Sequence, residues 1–317
     1  MRFALNLPIA KVVADLKVGR ATAIRRMAKA LEDAGLSAGL TSEHPAPSAE
    51  WLRTDPAAHD CVDPLTALAF VAGATNRLKL FTNVLVLPYR NPFLTAKAAA
   101  TLQIMSDDRL LLGVGTGYQR EEFDALGVDP RQRGALMDEA IETIRMAWHG
   151  GEVVKRGLNF DARGNEPRPV PSSPPPIWVG GGSDKAVDRA ARLGDGWAPY
   201  FSVPTNDETV LGSAITSIAH FAEKARRLAN LREQYGRPGP FDLAVAPPFR
   251  PQDASAANAR RFLDEVHALA DLGVNWIWTS IPAQSMEAYL DLVQWFGEDI
   301  IGSYSASKSS ASSQVTD

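Results

Sequence analysis

The chain has 317 residues, of which 45% are hydrophobic and 22% charged, as is ordinary for a globular protein with a sizeable core. Its net charge of −4 argues against a broad nucleic-acid-binding surface but leaves room for a small cationic patch that binds a phosphate. The single cysteine, Cys61, excludes an intrachain disulfide framework and a cysteine-built zinc site, and we interpret it as a passive loop thiol.

Strand-like and helix-like segments alternate from the N-terminus. Residues 3–7 form a short apolar strand, and residues 1–17 lack the long apolar core and cleavage site expected of a signal peptide. Residues 22–34 are helical with one apolar face, and residues 36–41 form the second strand. Because no apolar run reaches the roughly 18 residues of a membrane span, the pattern predicts a cytoplasmic protein without a membrane partner.

The next two helices begin with the same capping device. Asp63-Pro64 and Asn91-Pro92 each place an N-cap residue before a proline at the first helical position. Between these helices the third strand is almost continuously apolar, which is typical of a strand covered on both faces. Strands three to eight are predicted over residues 78–87, 110–114, 177–179, 197–198, 241–246 and 274–280. Eight strands that alternate with helices predict an α/β fold, a (β/α)₈ TIM barrel, with a doubly wound sheet as the alternative.

Three long segments fit no regular element: residues 45–62, 150–176 and 200–211. The first and third follow strands, so they extend the C-terminal face of the barrel, where active sites are built. The second enters the fifth strand from the opposite end. Residues 1–302 are predicted to form one domain, and residues 303–317, with the low-complexity run SASKSSASS, a disordered tail.

Two glycine-rich turns follow predicted strands. Residues 180–183, Gly-Gly-Gly-Ser, lie before a helix, so the backbone of Gly181, Gly182 and Ser183 is predicted to bind a phosphate. The alternative is a tight turn in which Ser183 is a plain N-cap. Residues 113–117 would let a flat ring lie against the backbone at Gly117, with Thr116 as a hydrogen-bonding hydroxyl. A flexible turn is the alternative there.

Several polar residues lie at or near strand ends. Thr82 and Asn83 are polar inside a buried strand and need partners, which either a bound heterocycle or the neighbouring backbone would supply. His44 follows the second strand, where a barrel assembles its chemistry, and an imidazole titrates near neutral pH. The alternative makes His44 structural. Glu121 and Glu122 are interpreted as first-turn helix acids, and no residue spacing suggests a metal site.

In combination these motifs resemble the bacterial luciferase-like monooxygenase class, most closely its subgroup of deazaflavin (coenzyme F-420)-dependent oxidoreductases. The resemblance spans strands two to six, and the remaining strands fit its spacing. The residues that carry it are Glu43-His44, residues 85–92, residues 113–117, Glu121 to Phe123, residues 180–183, and Asp195 to Trp197.

The resemblance implies a cofactor ring at the C-terminal mouth of the barrel, with the phosphate at residues 181–183. It implies a non-prolyl cis peptide at Asn83-Val84 behind the ring, and thereby adds Val84 to the cofactor-binding residues. The implied cofactor is reduced flavin (FMN) or coenzyme F-420, the implied substrate is a small organic molecule, and the implied assembly is a homodimer.

The resemblance also implies a catalytic pair. His44 matches the histidine implicated in catalysis in the sugar-phosphate dehydrogenase branch of the class. Tyr118 stands where that branch carries a glutamate, which disfavours a sugar-phosphate substrate and makes Tyr118 a second proton donor or a stacking wall. The implied chemistry is hydride transfer or oxygen activation by a reduced flavin. Because fold does not fix function, the alternatives are a non-catalytic flavin-binding protein and a barrel lyase or isomerase that binds a phosphorylated substrate.

Overall fold

Eight parallel strands close into a barrel. The structure is a computed structural model that describes residues 1–14, 16, 19–54, 60–201, 215–283 and 285–307. The strands are β1 (Arg2–Asn6), β2 (Ala38–Thr41), β3 (Lys79–Val86), β4 (Leu110–Gly115), β5 (Val153–Arg156), β6 (Asp161–Asn165), β7 (Ile177–Gly180), β8 (Gly196–Ala198), β9 (Asp242–Val245) and β10 (Trp276–Thr279). The barrel order is β1-β10-β9-β8-β7-β4-β3-β2, while β5 and β6 pair as a separate hairpin. Closure confirms the predicted (β/α)₈ barrel and excludes the doubly wound sheet.

Helices surround the barrel. They are α1 (Ile9–Ala14), α2 (Arg20–Asp33), α3 (Ala49–Thr54), α4 (Pro64–Ala72), α5 (Pro92–Met105), α6 (Arg120–Ala125), α7 (Arg133–His149), α8 (Asp184–Leu193), α9 (Ile218–Gln234), α10 (Ala256–Asp271), α11 (Met286–Trp295) and a final π-helix (Phe296–Gly302). Among the described residues, no helix has both the length and the apolar character that crossing a bilayer requires.

Both predicted helix caps are confirmed. The Asp63 carboxylate accepts a hydrogen bond from the Thr66 backbone N–H at 2.8 Å, and proline follows at the first position of α4. The Asn91 side-chain oxygen accepts one from the Phe93 N–H at 2.9 Å at the start of α5. Each cap satisfies a donor that a helix start leaves unpaired, so the entry points of both helices are fixed locally.

The lumen of the barrel is packed with side chains. Trp178 lies edge-on to Phe81, with ring centroids 5.0 Å apart, and to Trp276, with centroids 5.2 Å apart. All three are buried, and smaller residues from the other strands fill the remaining space: Ala4, Ala38, Leu40, Leu111, Ala198 and Ala244. The lumen is therefore a second core and not a channel, which leaves the C-terminal mouth as the place for a site.

Two of the segments predicted to be irregular contain regular structure. Residues 150–176 hold the β5–β6 hairpin, in which Phe160 packs edge-on against Phe93 of α5, with ring centroids 5.4 Å apart. Residues 45–62 hold the short helix α3. The hairpin was missed because its strands are mostly polar and exposed, so they lack the apolar alternation that marks a half-buried strand. Residues 202–214, most of the third segment, lie outside the described residues.

The predicted tail begins too early. Residues 303–307 continue the last helix, and Tyr304 is buried against Phe3, with ring centroids 5.7 Å apart, and stacked on His267 at 5.0 Å. The buried Tyr304 ring holds this turn to the domain. The serine-rich composition of the segment gives no sign of that contact. Residues 308–317 lie outside the described residues.

A buried carboxylate ties α2 to the start of β3. Glu32 Oε1 accepts hydrogen bonds from the backbone N–H groups of Asn76, Arg77 and Leu78 at 2.6–3.0 Å. Burial by itself would raise the pKa of Glu32, but these three donors favour the ionised form and lower it to about 2. The ionised carboxylate therefore stabilises the fold.

We expect the variant Glu32→Gln to reveal this contribution through pH. Because the pKa of Glu32 is about 2 in the folded state against 4.5 ordinarily, its stabilisation is fully present above pH 4.5 and is lost as pH falls toward 2. The difference in unfolding free energy between parent and variant should shrink by about 3 kcal/mol over that window. Urea unfolding at a series of pH values measures it. A difference that does not change with pH would contradict the assignment.

Candidate active site

An ion-pair network fixes the end of β2 against the end of β3. The Glu43 carboxylate, whose side chain is 3% exposed, accepts a hydrogen bond from the Val86 backbone N–H at 2.6 Å and pairs with Arg90. Arg90 also reaches the Asp63 carboxylate at 2.8 Å, which links the network to the start of α4. Burial raises the pKa of Glu43, and Arg90 opposes that shift. The network holds the backbone that carries the next residue, His44.

His44 lies in a cluster of polar and aromatic side chains. Its Nδ1 is 3.3 Å from Glu122 Oε2, and its Nε2 is 3.3 Å from the Tyr118 hydroxyl. Its ring lies 4.7 Å from the Trp51 ring of α3, and the Gln119 amide nitrogen is 3.2 Å from Nδ1. The structure thus brings together His44 and Tyr118, the two residues predicted from the sequence to be catalytic.

Glu122 has a role that sequence reasoning missed. It lies in the first turn of α6, as predicted, but its side chain is only 2% exposed and contacts His44. Its Oε2 also lies 3.3 Å from the Tyr89 hydroxyl, and its Oε1 accepts from the Ala46 N–H at 3.3 Å. Burial raises the pKa of Tyr89, and the Glu122 carboxylate raises it further, so the phenol stays protonated and donates. A signal existed: Glu122 shares the inward face of α6 with the neighbouring Phe123, whereas Glu121 lies on the outward face.

Gly115 of β4 and Gly180 of β7 make room for the side chain of Val84. The Asn83–Val84 peptide bond is cis, as the resemblance implied. A Cβ placed on Gly115 would lie 2.6 Å from Val84 Cγ2, and one on Gly180 would lie 3.0 Å from Val84 Cγ1. Side chains at these positions would collide with Val84, so both glycines serve the packing of the protein itself. The predicted contact of a ring with this backbone stays a prediction.

Thr82 is paired within the barrel wall. Its side chain is fully buried, and its hydroxyl donates to the Gly113 carbonyl at 2.8 Å, which is the backbone pairing offered as the alternative. The contact of Thr82 with a cofactor stays a prediction. Asn83, Val84, Thr116 and Gly117 are half-buried at the C-terminal ends of β3 and β4, where a ligand in the mouth would meet them.

The turn after β7 agrees with both interpretations of its sequence, a phosphate-binding backbone and a tight turn capped by Ser183. Ser183 is the N-cap of α8, since its hydroxyl accepts from the Ala186 N–H at 3.2 Å. Gly181 has a φ of 92°, and its carbonyl accepts from the Trp197 indole at 2.8 Å. Within the described residues, the backbone N–H groups of Gly182, Ser183 and Asp184 have no protein acceptor. These donors fit an anionic group, and they equally fit an ordinary solvated helix start.

A second feature of the mouth fits a heterocyclic ligand. Trp278 of β10 packs on the lumen cluster at its C-terminal side and is half-buried. Its indole nitrogen is buried and has no hydrogen-bond partner among the described residues. A buried donor without an acceptor is uncommon, and a ring with carbonyl or nitrogen acceptors would satisfy it. In the part of the chain that the structure describes, no cluster of three or more potential metal ligands occurs.

Comparison with known proteins assigns the family. The family model for luciferase-like monooxygenase matches residues 1–289. The chain belongs to this family. An uncharacterised protein of Mycobacterium tuberculosis is 33% identical over 184 residues, 58% of this chain and 59% of that relative. A phthiodiolone/phenolphthiodiolone dimycocerosates ketoreductase of Mycobacterium kansasii is 33% identical over 162 residues, 50% of this chain and 44% of the relative. The chain thus spans about half to three fifths of the length of these curated relatives.

Solved structures share the luciferase-like barrel. A monooxygenase from Streptomyces bottropensis has a TM-score of 0.71 at 19% identity and covers 96% of this chain and 100% of its own. An F420-dependent secondary alcohol dehydrogenase, solved with an F420-acetone adduct, has a TM-score of 0.70 at 18% identity and covers 94% and 98%. At these identities the likeness concerns the fold alone.

Proposed function

We propose that this chain is an oxidoreductase that works with a flavin-type cofactor on a small organic substrate. The observation that carries the proposal is the Tyr118–His44–Glu122 chain of side chains at the mouth of a luciferase-like barrel. Hydride or oxygen chemistry on an organic substrate moves protons as well as electrons, and a placed imidazole can give or take one near neutral pH. The cofactor supplies the electron chemistry, and the protein orients it and handles the proton.

The proposed cofactor is reduced FMN or coenzyme F-420. Its ring would contact Asn83, Val84, Thr116 and Gly117, and its phosphate would contact residues 181–183. The buried indole nitrogen of Trp278 and the N–H groups at the start of α8, which have no acceptor among the described residues, support such a ligand. The names of similar proteins include both an F420-dependent dehydrogenase and a monooxygenase. The proposed reaction is therefore either hydride transfer or oxygen activation. A homodimer in the cytoplasm is the accompanying expectation.

Cofactor binding tests the proposal. The purified chain is titrated separately with oxidised and reduced FMN and with oxidised and reduced coenzyme F-420, and binding is followed by cofactor fluorescence and by calorimetry. We expect saturable binding of one of these compounds and weak binding of the others. If none binds, the proposal fails and a lyase or isomerase that acts on a phosphorylated substrate takes its place. Binding without turnover of any substrate would favour the non-catalytic flavin-binding protein.

Replacement of a glycine in the turn after β7 is expected to weaken that binding. In Gly182→Val, a branched side chain stands next to the unpaired N–H groups and pushes an anionic group away. Loss of one or two hydrogen bonds to a charged group raises the dissociation constant by roughly 10- to 100-fold. Titration with the cofactor that binds the parent measures the change.

Gly73→Val is the matched control for this variant. Gly73 ends α4, on the N-terminal side of β3, and has an ordinary φ of −71°. The atom nearest to a Cβ placed on Gly73 is 3.7 Å away. It should fold and bind cofactor as the parent does. If Gly182→Val keeps the parent's dissociation constant while folded, the phosphate does not bind at this turn.

A further inference from the structure

We propose that Tyr118 is the group that exchanges a proton with the substrate, and that His44 and Glu122 form a relay behind it. This inference rests on the proposed function and deepens it. Tyr118 is 43% exposed, whereas the His44 side chain is only 8% exposed and contacts both the Tyr118 and the Trp51 ring. A substrate that enters the mouth therefore meets the phenol before it meets the imidazole.

The hydrogen bonds around Glu122 set the direction of the relay. The Glu122 carboxylate already accepts from the Tyr89 hydroxyl and the Ala46 N–H, and it is buried. A bond from the His44 Nδ1–H to this carboxylate is charge-assisted, whereas a lone pair on Nδ1 would face a negative charge. The proton of neutral His44 therefore lies on Nδ1. Nε2 then carries the lone pair, which accepts the Tyr118 O–H at 3.3 Å.

Gln119 fits this direction once its amide is turned by half. As placed, the amide nitrogen, which can only donate, lies 3.2 Å from His44 Nδ1, while the buried side-chain oxygen has no partner among the described residues. A half-turn exchanges the two ends of the amide and brings the oxygen, an acceptor, to the Nδ1–H. Orientation of an imidazole by a second group, which is itself fixed by further hydrogen bonds, is the arrangement that makes a general base effective.

The relay balances as a proton transfer. When a substrate alcohol is oxidised, its hydroxyl proton passes to the Tyr118 oxygen, and the Tyr118 proton passes to His44 Nε2. The resulting imidazolium lies next to the Glu122 carboxylate, which stabilises its charge. The flavin-type cofactor of the proposed function, when bound, would take up the hydride with the two electrons of the broken C–H bond. Reduction of a carbonyl runs the same transfers in reverse.

Nuclear magnetic resonance of the ring nitrogens tests the relay without cofactor or substrate. The chain has five histidines, and a protein labelled with ¹⁵N-histidine gives a tautomer pattern for each, with His44 assigned from the variant His44→Gln. We expect the His44 proton on Nδ1 in the parent. Tyr118→Phe should keep it there and shift the Nε2 signal, because one hydrogen bond is lost. Glu122→Gln should move the pattern toward a mixture of tautomers.

Glu121→Gln is the matched control, since its side chain is the exposed neighbour on the same helix, and it should leave the pattern of the parent unchanged. A proton on Nε2 in the parent, or an equal response to Glu121→Gln and Glu122→Gln, overturns the relay. Turnover adds a second readout: the double variant Tyr118→Phe/His44→Ala should be no more than about threefold slower than either single variant, because the residues act as a unit. If Tyr118→Phe binds the cofactor and turns over at the rate of the parent, the relay is overturned while the proposed function still holds.

Discussion

The variant His44→Ala is expected to lower turnover by roughly 10²–10⁴-fold, the range for proton transfer by a placed side chain. The loss should appear in kcat, because the imidazole handles a proton during the chemical step and lies behind Tyr118. Folding and cofactor affinity should stay close to those of the parent. Steady-state kinetics, a melting curve and a cofactor titration on the same protein sample measure all three.

His149→Ala is the control for this experiment. His149 is an exposed histidine at the end of α7, and its removal should leave turnover and melting temperature unchanged. If His44 is only structural, His44→Ala should lower the melting temperature while the folded fraction turns over normally. Turnover within a few-fold of the parent would remove His44 and its relay from the mechanism.

The variant Arg90→Met is expected to lower the unfolding free energy by about 3–5 kcal/mol at neutral pH, as when one partner of a buried ion pair is removed. Methionine keeps the aliphatic stem but leaves the Glu43 carboxylate with the Val86 N–H and no cation. Burial already raises the pKa of Glu43, and loss of Arg90 raises it further. A protonated Glu43 is tolerated in a buried site. The loss of unfolding free energy should therefore grow as pH rises through the pKa of Glu43 and shrink as pH falls. Urea unfolding across pH measures both effects.

Arg131→Met supplies the comparison. Arg131 also pairs with a carboxylate, Asp129, at 2.9 Å, but its side chain is 89% exposed, so its removal should change stability by less than about 1 kcal/mol. The double variant Arg90→Met/Glu43→Gln should recover part of the loss, because no buried charge remains. Equal losses for Arg90→Met and Arg131→Met would show that the Glu43 network does not fix the loop that carries His44.

The barrel could be predicted because its signals are local. Asp63-Pro64 and Asn91-Pro92 mark helix starts through their own backbone geometry, and the apolar run of β3 reports burial on both faces. Tertiary contacts are not local. Glu122 and His44 are 78 positions apart, so the sequence could not show that they touch, although the position of Glu122 beside Phe123 hinted at burial. Gly115 of β4 was recognisable as a close approach, but the group that approaches it is Val84, which only the folded chain reveals.

The aromatic plug in the lumen has a kinetic consequence. Trp178, Trp276 and Phe81 close the barrel axis, so ligands in the mouth share one entrance and cannot pass through to the far side. When two molecules bind in such a dead end, the one that lies deeper arrives first and departs last. A ring resting near Trp278 would be held in place by whatever sits over it. We therefore expect cofactor and substrate to bind in a compulsory order that needs no moving part.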